Sequence, residues 1–265
     1  MGLVKLSDVR LNVERRGRPD GVPVVLVNGM LTDLRSWDRI EPLIGEQFPT
    51  VLYDRRGQGQ SDKPDQPYSS QLHARDLINL ADELGLESMH LMGLSSGGVA
   101  ALLAAARLGA RVKSLVVSGV YSHMDVSLHM KLDSWLQAMQ IGGLDLRFLV
   151  SIPWVWSMGY LESHENELDR WRAAASDQDI QASANLLRGA MEYVDIRGVI
   201  HGLQPPVLLA VGAEDILTPP HYSREIATLV AHGEIATLAG GGHAAALEKP
   251  EEFAKLALQF MSQHG

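Results

Sequence analysis

The chain has 265 residues, 46% of them hydrophobic, which is enough for one large α/β core. It contains no cysteine, so disulfides, thiolate zinc sites and a cysteine nucleophile are excluded, and a reducing compartment fits. A formal charge of -9 argues against nucleic acid or an anionic membrane as a partner; with no long apolar run and no leader-like start, the expectation is a soluble cytoplasmic protein.

Val9, Leu11 and Val13 alternate with polar residues, predicting an antiparallel strand at the sheet edge with one wet face. Val24-Val25-Leu26-Val27 is an unbroken apolar run and predicts a central strand covered on both faces. Ser36 is placed to cap a helix carrying Trp37, Ile40, Leu43 and Ile44, which Pro42 limits to its first turns. The strand Val51-Leu52-Tyr53 leads into Asp54-Arg55-Arg56-Gly57-Gln58-Gly59-Gln60-Ser61-Asp62, a polar loop that lacks the third glycine and the immediate helix of a phosphate cradle. It reads as a structural turn. Leu77, Ile78, Ala81 and Leu84 place an apolar stripe on the helix that follows.

Next comes Met89-His90-Leu91-Met92-Gly93-Leu94-Ser95-Ser96-Gly97-Gly98: a short strand, a sharp turn carrying a serine, and the start of a helix. Gly93 and Gly97 flank Ser95 as Gly-x-Ser-x-Gly, because a serine at the tip of a tight strand-to-helix turn needs small neighbours two positions away on either side. The small-residue helix Val99–Ala106 can lie close against the sheet, with its free N–H groups aimed at whatever the serine attacks. Residues 112–118 read as a further strand, so strand and helix alternate and a parallel sheet with helices on both faces follows.

Between 120 and 200 the strand pattern disappears, and methionines, histidines and tryptophans crowd a segment that reads as helical. We read 120–200 as a helical cap insertion over a core made of 1–119 and 201–265. Pliable methionines beside large aromatics suit an adaptable apolar pocket. The candidate substrate contacts are Leu31, Met124, Trp154 and Leu217. No His-Glu-x-x-His pair occurs, since Leu168 stands where a second ligand to His164 would be, and neither a metal nor a cofactor is expected. The strand pattern resumes at Pro206–Val211 and again near Ile235–Leu238, and the last helix opens at Pro250 with Glu251 and Glu252 in its first turn.

Ser95, Asp215 and His243 each stand just past a predicted strand end, and in a parallel sheet those ends share one edge, where such sheets bind ligands. A serine hydroxyl needs a base, and a histidine acting as base needs an acid to fix its tautomer and stabilise its charge. With Gly93-Leu94-Ser95-Ser96-Gly97, Gly212-Ala213-Glu214-Asp215 with Pro219, Gly242-His243, and the Asp54–Ser61 turn, the sequence resembles the α/β-hydrolase superfamily over nearly its whole length. The resemblance implies the α/β-hydrolase fold, with Ser95 as nucleophile, His243 as base and Asp215 rather than the neighbouring Glu214 as acid. It also implies an oxyanion hole from the backbone N–H groups of Ser96 and Met30. Asn28 stands where the family usually has histidine.

The run Gly29–Trp37 resembles small esterases and 3-oxoadipate enol-lactonases, whereas Val27-Asn28-Gly29 resembles the hydroxyacyl transferases of polyhydroxyalkanoate and rhamnolipid synthesis. Haloalkane dehalogenases carry aspartate at the elbow and are set aside. The expected function is a serine hydrolase that cleaves a carboxylic ester, lactone or enol-lactone with an apolar portion through an acyl-enzyme. The alternatives are acyl transfer to a thiol or alcohol, and a hydrolase-like binding protein of low turnover.

Overall fold

Successive residues of a strand point to opposite faces of the sheet, and in the central strands of this chain both sets are buried. The computed structural model describes residues 2–192 and 195–265. Among these, eight strands form one sheet: β1 (Gly2–Lys5), β2 (Arg10–Gly17), β3 (Val24–Val27), β4 (Pro49–Tyr53), β5 (Met89–Leu94), β6 (Val112–Ser118), β7 (Val207–Gly212) and β8 (Gly233–Leu238). Their spatial order is β1-β2-β4-β3-β5-β6-β7-β8. β2 is antiparallel to both its neighbours, and every pairing from β4 across to β8 is parallel.

The helices are α1 (Glu41–Gly45), α2 (Ser70–Glu83), α3 (Ser96–Leu108), α4 (Val126–Val155), α5 (Met158–Ser163), α6 (Leu168–Ser176), α7 (Ile180–Met191), α8 (Arg197–Ile200), α9 (Pro220–Leu229), α10 (Ala245–Glu248) and α11 (Pro250–Gln263). Val25, Val27, Leu91, Leu115 and Leu209 pack with Leu77 of α2, Leu102 of α3 and Ile226 of α9. Val24, Leu26, Met92, Val116 and Leu208 pack instead with Ile44 of α1 and Phe253 and Phe260 of α11. Burying each such side chain contributes about 1.5–3 kcal/mol, so both faces of the central strands are closed to solvent.

Three local expectations are corrected. The alternating strand around Leu11 is not the edge, because the short, mostly exposed β1 lies outside it. Ser36 does not cap a helix; Asp33 does, its side chain accepting from Arg35 N at the start of a single tight turn over Leu34–Trp37. Pro42 sits in the first turn of α1, where a missing N–H costs nothing, and so starts that helix rather than ending one.

Between β6 and β7 the described residues are mostly helical. α4 bends at Gly142 and Gly143, and Gly143 has φ 68, which favours glycine. α6 and α7 pack on α4, while α8 packs against α3 and α9 below. No helix among the described residues is long and apolar enough to cross a membrane.

Candidate active site

β5 ends directly into Ser95, whose backbone is held at φ 51, ψ -125, a strained conformation for a residue with a side chain. Sterics explain the flanking glycines. A Cβ on Gly97 would lie 2.3 Å from the Asn28 carbonyl oxygen, and one on Gly93 would lie 2.5 Å from the Gly98 Cα. Ser95 N donates to Ser118 O at 2.7 Å, tying the turn to β6.

Two later strand ends bring the partners. After β7, Asp215 Oδ1 accepts from Leu217 N at 2.9 Å and Thr218 N at 2.8 Å, leaving Oδ2 to face the Thr218 hydroxyl at 2.8 Å and His243 Nδ1 at 3.1 Å. After β8, His243 places Nε2 2.9 Å from Ser95 Oγ. The Asp215 side chain is fully buried and that of His243 nearly so, whereas Glu214, the rival acid, is exposed. Carboxylate, imidazole and hydroxyl thus form one continuous chain of hydrogen bonds at the edge where the parallel strands end.

The profile of the alpha/beta hydrolase fold family matches residues 22–250. The chain belongs to this family. Two relatives named "Putative carbamate hydrolase RutD" are 26% identical: that of Caulobacter segnis over 246 residues, covering 90% of each chain, and that of Agrobacterium fabrum over 258 residues, covering 95% of this chain and 98% of the relative. Among solved structures, the enol-lactonase of Burkholderia xenovorans LB400 superposes with a TM-score of 0.87 at 22% identity, covering 98% of this chain and 100% of that one. A thermophilic esterase of Thermogutta terrifontis gives 0.87 at 23% identity over 97% and 95% of the two chains. These likenesses establish the α/β-hydrolase fold.

In this α/β hydrolase the loop after β3 faces the serine. The Gly29 carbonyl accepts from Gln58 Nε2 at 2.8 Å and from the Thr32 hydroxyl at 3.0 Å, and Asn28 Nδ2 reaches Thr32 O at 3.1 Å. A trans peptide points its N–H opposite to its carbonyl, so bonds that hold the Gly29 oxygen also aim the Met30 N–H the other way. Asn28, fully buried, is thus part of the scaffold of this loop.

A cavity of about 110 Å³ opens beside Ser95 and His243, floored by Gly29, Met30 and Ser96 and walled by Leu128, Leu132 and Trp135 of α4. Leu217 lines it as expected. The other candidate contacts do not. Leu31 has φ 60, packs with Tyr68 and Leu186, and lines the neighbouring cleft. Met124 precedes α4 and packs into the core. Trp154 packs against the core and beneath the Lys131 ammonium, 5.2 Å from its ring centre. Adjacent helical residues diverge by about 100°, so it is Val155 that reaches the cavity. The spacing of Leu128, Leu132 and Trp135, one face of a helix, was the available signal for the cavity wall.

Two ties fix α4 over the site. Lys131 Nζ donates to Ile216 O at 2.7 Å, on the Asp215 loop, and Ala244 N, next to His243, donates to Val155 O at 2.8 Å. Glu248 reinforces the second, accepting from Ser157 N at 2.9 Å and Ser157 Oγ at 2.7 Å together with Gly242 N at 3.2 Å. Burial raises the Tyr121 phenol, also in the cavity wall, to about 12 and keeps it protonated. Among the described residues, no three histidine, aspartate or glutamate side chains converge to hold a metal ion.

Proposed function

We propose that this protein hydrolyses carboxylic esters with a short apolar acyl portion, through an acyl-enzyme on Ser95. The observation that carries this reading is the unbroken sequence of contacts from Asp215 Oδ2 through His243 to Ser95 Oγ beside a cavity walled by Leu128, Leu132 and Trp135. His243 Nε2 takes the hydroxyl proton as Ser95 attacks the ester carbonyl, and Asp215 holds the imidazole by Nδ1 and stabilises its charged form. The backbone N–H groups of Ser96 and Met30 receive the negative charge of the tetrahedral intermediate. The alcohol leaves with the proton from His243, and water activated by the same imidazole then releases the acid.

Cavity size sets the acyl preference. A dry apolar cavity of about 150 Å³ takes a benzene ring, so about 110 Å³ suits a short acyl chain. Carbamate cleavage, the activity in the relatives' names, would use the same attack on a carbonyl, and the apolar walls favour an ester over so polar a group.

The test is hydrolysis of p-nitrophenyl esters from acetate to dodecanoate by the purified protein and its Ser95→Ala variant. Activity is expected to peak among the short esters and to fall about 10⁴-fold or more in Ser95→Ala. Equal rates for the two proteins would sink the hydrolase reading. Transfer to a thiol acceptor that outruns hydrolysis would replace it with acyl transfer.

A further inference from the structure

Arg55 is 1% exposed, and its Nη2 donates to Ser96 Oγ at 2.9 Å. Its Nε and Nη1 have no hydrogen-bond partner among the described residues, and no carboxylate there forms an ion pair with it. The adjacent Arg56 shows the ordinary solution, a paired contact with the buried Asp76 carboxylate. A buried cation without a counter-ion is expensive and is kept by few proteins without a use for its field. Burial lowers Arg55 to about 10, which still leaves it charged at neutral pH.

The contact with Ser96 carries chemical information. A guanidinium has donors and no acceptor, so Ser96 Oγ must accept at this contact. Its own hydrogen is left for another acceptor, and no group among the described residues takes it, although Ser96 lines the cavity beside Ser95. A donor that already accepts a charge-assisted bond is a stronger donor in turn.

Resting on the esterase reading above, we infer that the Ser96 hydroxyl is a third hydrogen-bond donor to the oxyanion formed on Ser95, and that Arg55 is a positioning residue that aims and polarises it. The Ser96 side chain would then touch the reacting oxygen, while Arg55 would act through it from beneath. The buried cation also lowers the energy of negative charge developing at that point, a stabilisation that the neutral ester in the ground state does not receive.

The experiment compares wild type with Ser96→Ala, Ser96→Thr, Arg55→Met and the double variant Ser96→Ala/Arg55→Met on p-nitrophenyl butyrate. It also measures Ki for a trifluoromethyl ketone, which adds to the serine and presents an oxyanion. Ser96→Ala keeps its backbone N–H, so kcat is expected to fall about 10- to 100-fold with KM within about threefold, and Ki to rise in step. Ser96→Thr keeps a hydroxyl and is expected to recover most of the loss. Arg55→Met is expected to lower kcat, and the double variant to be no worse than the poorer single one. Wild-type kcat and Ki in Ser96→Ala would overturn the inference, even if Arg55→Met proved too unstable to assay. So would additive losses in the double variant. Absence of Ser95-dependent turnover in the wild type is a different result, and it removes the esterase reading itself.

Discussion

Thr218 belongs to no motif of the sequence, yet its hydroxyl donates to Asp215 Oδ2 at 2.8 Å and lies 2.9 Å from His243 Nδ1. A hydroxyl donates one hydrogen and keeps lone pairs, so the imidazole N–H on Nδ1 is shared between carboxylate and threonine. The two residues should therefore be separable by mutation. Asp215→Asn is expected to lower kcat on p-nitrophenyl butyrate about 10⁴-fold, the cost of a wrong imidazole tautomer. Thr218→Val, which removes one neutral bond, is expected to cost only about tenfold, since a typical hydrogen bond is worth about 0.5–1.5 kcal/mol. Losses of equal size would show that the threonine holds the ring as much as the aspartate does. Ser95, Asp215 and His243 were legible because each follows a strand, with a glycine pattern that only a tight turn requires. Thr218 and Arg55 were not, because a side chain that acts through another leaves no spacing of its own.

At the scale of elements, buried strands announced themselves as apolar runs, and the parallel order followed from their alternation with helices. β1 did not, being short and mostly exposed, and with no buried face it has no pattern to read. The pocket wall was missed for a different reason: composition marked the segment after β6 as pocket-forming, but choosing between Trp154 and Val155 requires the phase of α4. The elbow is the element whose geometry constrains sequence most tightly. Gly97→Ala would drive a methyl to 2.3 Å from Asn28 O and 2.5 Å from Val27 O, both backbone atoms of the central sheet region that cannot yield. We expect Gly97→Ala to reach the insoluble fraction or to melt far below wild type. Gly143→Ala meets nothing within 4 Å, so its φ of 68 leaves only the conformational cost, about 1–2 kcal/mol. It should stay soluble and active and lose only a few degrees in thermal melting, and a collapse like that of Gly97→Ala would refute the steric account.

For the whole molecule, two buried histidines tie stability to pH. Burial pushes His90 on β5 down to about 4, with His264 and Lys113 adding repulsion, and burial with Arg55 and Arg56 holds His73 on α2 well below its ordinary value. The unfolded chain binds protons at these residues from about pH 6.5 downward while the folded chain does not, so stability is full above that pH and declines towards about pH 4. The slope is up to about 1.4 kcal/mol per pH unit for each histidine. Urea midpoints should be lower at about pH 5 than at about pH 7.5, and His90→Gln should shrink the difference while His73 keeps part of it. Nothing in the sequence announced either residue, because a histidine inside a strand or helix gives no sign of its burial. The ties at the two ends of α4 have a consequence at this same scale. Lys131 grips the loop that carries Asp215, while Val155 directly, and Ser157 through Glu248, grip the turn that carries His243. Lifting this helix to widen the entrance would therefore slacken the acid and the base together. Through these bonds the helix and the two loops beneath it are held as one unit, so that neither loop can shift without the other.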